Sequence, residues 1–432
     1  MTKIAFIGAG STIFSKNVLG DCMTTPALAD AEIALHDIDH EKLFNSEKML
    51  KNLSRNLGGR AQVTAYTDRR EALRGADYVI NAISVGQYEP TIKSDFEIPH
   101  KYGLKQTVAD TLGVGGILRG LRAAYAMLEF TRDMEELCPN AWFLNYTNPM
   151  AIVTGAVLRG SKIKSVGLCH SVQVCAKELL EGLDLPTNNV RYRIAGINHQ
   201  AWLLEITRNG EDLYPEIRRR AAERPAPHDD MVRYEIMKSF GYYVTESSMH
   251  SAEYMPYFIK SGQPELLEQY NITTDWYLTW GDSKTEYWQE VMDSLVNNPD
   301  VSHARTHEYA SYIIEAMETD VPFKIAGNVL NTGGLIGNLP QDAVVEVPCL
   351  VDSQGVTPCK VEDLPPQCAG LNRTNVNMQL LAVEAILTRK REHIYHAAML
   401  DPHTAAELSL DQIRSLIDEM LEASAEFLPE FI

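Results

Sequence analysis

No stretch of this 432-residue chain stays apolar over the roughly 20 residues that a bilayer-spanning helix needs, so a helical membrane protein is not expected. The opening run MTKIAFIGAGSTIF is short and broken by glycines, and it reads as a buried first strand rather than a secretory signal. Positive charge is scarce as well. Against 58 Asp and Glu stand only 39 Lys and Arg, for a formal charge of −19. That sign argues against a protein that coats nucleic acid or an anionic membrane surface. The 7 cysteines are odd in number and scattered, without the close pairing of a zinc knuckle or a secreted disulfide framework. A reducing, cytoplasmic setting is expected from that pattern. Repeats and low-complexity linkers are also missing. What remains is an ordinary globular composition, 45% hydrophobic and 22% charged, in a chain long enough for two cores.

Short apolar runs alternate with helical patterns through the first half. KIAFIGAG, AEIALHDID, QVTAYT, DYVINAIS, AWFLNYTNPM and KSVGLCH read as strands, and a long helix is expected from about Gly115 to Glu136. This is the signature of a parallel sheet covered on both faces. The fold class expected is α/β: a Rossmann-like sheet over residues 1–186, with an interleaved mixed α+β substrate and oligomerisation domain over 187–432. In that second part RYRIAGINHQAWLLEITRNGEDLYP predicts longer strands that reverse at Asn209-Gly210. Ser409 is placed to cap the last amphipathic helix.

The GAGS turn at Gly8 to Ser11 follows a strand and opens a helix, a place where backbone amides meet a pyrophosphate. The glycine pattern is incomplete, because Ile13 stands at the third glycine position. The expected cofactor contacts are Gly8, Gly10, Ser11 and Thr12, with Asp37 at the end of the second strand and Ser84 further on, along a path reaching Gln87. A carboxylate at Asp37 would accept from an adenosine ribose and disfavour a 2′-phosphate, which selects NAD; Asp39 is the weaker candidate. A second glycine cluster, Gly113, Gly115 and Gly116, reads either as another ligand-binding helix start or as a tight structural turn.

Polar side chains gather where strands end. Asn148 is placed to meet a sugar hydroxyl or to satisfy an Asn-Pro turn. Cys169 and His170 close the strand KSVGLCH, and His199 sits in INHQAW. One thiolate and one imidazole would leave a divalent metal open positions for substrate oxygens; packing roles are the alternative. In YYVTESSMHSAEY and the residues after it, Tyr254 or Tyr257 would serve as a base beside a cation, while His250 and Glu253 would orient a substrate.

KIAFIGAGSTIFSKNVLGD, NYTNPM, GLCHSVQ, GINHQAW, YYVTESSMHSAEY and MLDPHTAAEL together, in this order and spacing, resemble glycoside hydrolase family 4 over essentially the whole chain. That family stands outside the usual two-carboxylate scheme. The resemblance implies NAD and Mn2+ as cofactors. It also implies hydride removal from sugar C3, loss of the C2 proton, elimination at C1, addition of water and return of the hydride. Carried onto this chain, Cys169 and His199 match the metal ligands, Tyr254 the base, and Asn148 a substrate contact, joined here by His250. His170 stands where phosphosugar-cleaving relatives carry an aspartate. It is expected as the general acid or a substrate contact, with Asp110 or a water as the rival acid. The substrate implied is an α-galactoside such as melibiose. α-Galacturonides and 6-phospho-α-glycosides are the rivals, and Arg119, Arg122 and Arg305 are the guanidinium groups available for an anion. A 2-hydroxy-acid dehydrogenase or a non-catalytic NAD-binding regulator are the readings from other classes. A homodimer or homotetramer, with no nucleic acid or membrane partner, completes the expectation.

Overall fold

Runs such as KIAFI and EIALH lack polar alternation because both of their faces are covered, and they form the centre of a parallel sheet. In this computed structural model the backbone of residues 1–432 is described, with every side chain except those of Gln87 and residues 280–289. The side chain of Gln87, the last residue of the expected cofactor path, therefore lies outside the described residues.

The strands in chain order are β1 (Lys3–Ile7), β2 (Glu32–His36), β3 (Gln62–Ala65), β4 (Tyr78–Asn81), β5 (Trp142–Asn145), β6 (Lys164–Leu168) and β7 (Val190–Ile197), followed by β8 (Gln200–Arg208), β9 (Glu211–Asp212), β10 (Tyr243–Val244), β11 (Phe323–Leu330), β12 (Val344–Asp352) and β13 (Gly355–Pro358). The first six pair in parallel in the order β3-β2-β1-β4-β5-β6. This is the dinucleotide-binding order, with its switch point between β1 and β4. From β6 the same sheet continues antiparallel through β11, β12, β7, β8 and β10. The sheet is thus unbroken across residue 186. Helices from the second half also return to the first: Pro366–Thr388 packs on Gly113–Leu137 and Met150–Gly160, and Leu410–Ala423 packs on Lys93–Lys101.

Local signals behave as their chemistry dictates. Ser409 caps the helix Leu410–Ala423 in a full capping box with Gln412, and the chain reverses at Asn209-Gly210 between β8 and β9. The second glycine cluster turns out to be structural. The amides that open the helix Gly113–Leu137 are already taken, Gly113 by Asp401 at 3.2 Å and Gly115 by Gln106 at 3.2 Å.

Two of the three arginines considered for an anion are committed elsewhere. Arg122 is buried and pairs with buried Asp95, with a 3.0 Å bond to Ser424 besides. Arg305 pairs with Glu315 at 2.6 Å and lies over the Tyr312 ring. Removing one member of a buried pair strands the other charge. Asp95→Asn is therefore expected to lower the unfolding free energy by about 3–5 kcal/mol in chemical denaturation. The double variant Asp95→Leu with Arg122→Met should recover most of that loss.

Candidate active site

The crevice at the switch point is a cavity of about 580 Å³ lined by Gly8, Gly10, Ser11, Asp37 and Ser84 among others. Backbone crowding explains the two glycines. Gly8 has φ +94°, and a Cβ there would stand 2.5 Å from the Ala82 carbonyl oxygen. A Cβ on Gly10 would stand 2.7 Å from Asp37 Oδ2, which accepts the Gly10 amide. Asp37 Oδ1 accepts the Asp39 amide at 2.9 Å, and Asp39 itself caps the helix His40–Asn56. Thr12 differs from its neighbours: its side chain is 1% exposed and bonds Ser46 at 2.9 Å, packing two helices together instead of facing the cleft.

Ala82 and Ile83 also line a second cavity of about 250 Å³, so the two spaces share a wall. Asp110, Arg119, Thr147, Asn148, Cys169 and His170 line this second space. Arg119, of the three arginines, is the one that reaches it. Asn148 Oδ1 is buried there without a hydrogen-bond partner, an acceptor left for a ligand. Because β6 ends at Leu168, Cys169 and His170 are not held to opposite faces as strand neighbours would be. Both reach the cavity.

His170 Nε2 lies 2.6 Å from Glu308 Oε2. That contact holds the imidazole above its ordinary pKa, against the effect of burial. Glu308 ends a segment anchored from behind: Asp21, fully buried, bonds His303 at 2.6 Å and the Thr306 amide at 2.7 Å.

Cys169 Sγ is 3.4 Å from His199 Nε2, and His199 Nε2 is 3.4 Å from Glu246 Oε2. The three donor atoms lie within 4.8 Å of one another. His199 occupies the two-residue turn between β7 and β8, and its Nδ1 meets Thr111 Oγ1 at 3.1 Å. Glu246 arrives just after β10, whose two residues pair with β8. Burial pushes the Cys169 thiol up to about 12, aided by the charges of Glu346 and Glu246. A bound cation would reverse that shift, because metals select the thiolate. Soft sulfur, borderline nitrogen and hard oxygen in one cluster fit a divalent transition ion. Sequence reasoning passed over Glu246, although it sits inside the YYVTESSMHSAEY stretch.

The helix Ser248–Glu253 and the residues just after it carry His250, Glu253, Tyr254 and Tyr257. Tyr254 is 1% exposed and donates to the Asn198 carbonyl at 3.1 Å, whereas Tyr257 is half exposed. Burial and the surrounding carboxylates raise the Tyr254 pKa well above its ordinary value. His250 Nε2 is 3.3 Å from Asp110 Oδ1. Burial opposes ionisation of Asp110, yet the bond and charge of His250 hold its carboxyl well below the usual range. Glu253, expected to orient substrate, does something else. It is buried and accepts the amides of Thr107, Val108 and Ala109 at 2.6, 3.0 and 3.1 Å, fixing the loop that presents Asp110. No polar neighbour in the sequence signals that clamp.

Two sequence profiles match the chain: family 4 glycosyl hydrolase over residues 3–185, and the family 4 glycosyl hydrolase C-terminal domain over residues 194–404. An α-galactosidase of Bacillus subtilis (strain 168) is 56% identical, with 100% of both chains aligned. An α-galactosidase of Rhizobium meliloti (strain 1021) is 35% identical, over 99% of this chain and 89% of that one. A 6-phospho-α-glucosidase from gut microorganisms, solved in complex with NAD and Mn2+, shares the fold with TM-score 0.82 and 21% identity, over 100% of each chain. With both profiles matched in order over nearly all of the sequence, the chain belongs to the family 4 glycosyl hydrolases.

Proposed function

We propose that this chain is an α-galactosidase that cleaves terminal α-galactosides such as melibiose, using NAD and a divalent metal, Mn2+ in the first instance. The observation that carries this reading is the shared wall between a dinucleotide cleft and a cavity edged by Cys169 and His170, backed by 56% identity to an α-galactosidase. Cys169 and His199 would hold the metal; Gly8, Gly10, Ser11, Asp37 and Ser84 would hold NAD. When bound, the nicotinamide supplies reversible hydride exchange at sugar C3, and the metal supplies positive charge beside the C2 and C3 oxygens.

The side chains divide the proton transfers. Tyr254 Oη takes the proton from C2, its high pKa being opposed by the nearby cation site. His170, its pKa raised by the bond to Glu308, delivers a proton to the departing glycosidic oxygen. Asp110 is a poor donor because His250 keeps it ionised, so we assign it to substrate and imidazole positioning. Asn148 and His250 contact the sugar, the free Asn148 Oδ1 accepting from a hydroxyl. With Arg122 and Arg305 committed elsewhere, Arg119 alone among those three reaches the cavity; an α-galacturonide or 6-phospho-α-glycoside would have to use it.

We also infer a homodimer or homotetramer, supported by exposed Leu400 and Leu410 at the C-terminal helices. Among the described residues no helix is long and apolar enough to cross a membrane. A cytoplasmic setting is inferred from a chain whose 7 cysteines are all free.

Galactose released from melibiose in heavy water, with NAD and Mn2+ supplied, should carry deuterium at C2 by NMR, without net NADH. Galactose with hydrogen retained at C2 would contradict a solvent-exchanging elimination, and accumulating NADH would point to a simple dehydrogenase. If His170 protonates the leaving group, His170→Asn should cut kcat on melibiose by about 10²–10⁴-fold. The same variant should lose far less on a nitrophenyl galactoside, whose phenolate departs without a proton. Equal losses on both substrates would remove His170 from that role.

A further inference from the structure

We propose that Glu246 is the third protein ligand of the divalent cation held by Cys169 and His199. This rests on the reading that a metal binds there, and extends the donor set from two groups to three. Glu246 Oε2 lies as close to His199 Nε2 as Cys169 Sγ does, 3.4 Å in each case, and all three donor atoms fall within 4.8 Å of one another. The imidazole is aimed by its other nitrogen, which meets Thr111, so Nε2 is the atom that faces the other two donors. The Glu246 carboxylate is divided in the same way. Its Oε1 accepts the Ser247 amide at 3.0 Å and stands 3.6 Å from His250 Nδ1, leaving Oε2 toward His199 and Cys169.

Backbone strain agrees. Glu246 has φ +66° and His199 φ +61°, a left-handed region that side chains other than glycine seldom adopt. Such a conformation persists where the surroundings over-determine it. Charge supplies a third argument, since a metal takes cysteine as thiolate and glutamate as carboxylate, two negative charges that neutralise a divalent ion in a largely buried place. The carboxylate is the one hard donor of the three and favours Mn2+ over softer ions. Three protein donors still leave positions for two sugar oxygens.

Metal-free, full-length protein saturated with NAD is titrated with Mn2+, following the signal of the free ion by electron paramagnetic resonance, and separately with Cd2+ by calorimetry. In Glu246→Gln the Mn2+ Kd should rise at least 10-fold, with Cd2+, which leans on the thiolate, losing less. NAD affinity should be unchanged. An unaltered Mn2+ Kd, or equal losses for both ions, overturns the ligand role. Should Glu246→Gln fail to fold, Glu246→Asp is read by the same ratio of Mn2+ to Cd2+ affinity, with the same two outcomes. Wild-type protein that binds neither ion would overturn the metal reading itself, a result distinct from a variant that binds normally.

Discussion

The arrangement depends on one run of backbone pairing, the antiparallel continuation of the parallel sheet beyond β6. Gly167 of β6 pairs with Asn328 of β11, Asn328 with Glu346 of β12, and Glu346 with Gly196 of β7. This single row of residues crosses four strands and joins the nucleotide-binding half to the rest. Cys169 lies two residues beyond one end of the row and His199 three beyond the other. A one-residue slip at any of these pairings would exchange the faces of a strand and separate the thiol from the imidazole. The row is itself tightly packed. Asn328 bonds Glu346 at 3.0 Å inside the sheet, and both side chains are buried.

Around that row the chain has gathered carboxylates, and Arg119 contributes positive charge beside Asp110. Glu246, Glu346 and Asp110 surround Cys169, His199 and Tyr254, and His250 holds Asp110 ionised. Burial first, and those charges second, leave neither the thiol nor the phenol ready to ionise by itself. A site built this way favours a cation, which is what a thiolate ligand and a phenolate base would both require. Most of the supporting polar groups act on backbone rather than on the cavity. Glu253 clamps three consecutive amides, Asp21 clamps the segment before Glu308, and Asp401 accepts the first amide of the long helix. Each fixes a loop that carries a group facing the site.

Much of the fold was legible because its signals are local. Continuous apolar runs separated by helix-length segments read directly as buried parallel strands, and the capping box at Ser409 needed four residues. The glycine turn before the first long helix was equally plain. Its neighbour was not: Thr12 belongs to the turn in sequence but faces Ser46 from a second helix, a contact 34 residues away. The second glycine cluster could not be classified because its amides are taken by Gln106 and Asp401, the latter 288 residues from Gly113. Glu253 looked like a polar group awaiting a substrate, and only the loop 107–109 folding against it explains its burial.

The sequence by itself determined the chemistry on offer: a dinucleotide turn, a cysteine and a histidine at strand ends, a tyrosine-rich stretch, and an order of motifs specific enough to imply the family. Those properties reside in residue type and short spacing, which survive being read in one dimension. Only the tertiary structure decided which groups meet. Glu246 is 47 positions from His199 and 77 from Cys169, and nothing along the chain relates them; the two-residue strand β10, laid against β8, does so. Likewise the pairing of His170 with Glu308 spans 138 positions. Contacts of that separation depend on sheet register and helix packing, which are properties of the whole chain, so residue types and motifs could be read in advance and the contacts between them could not.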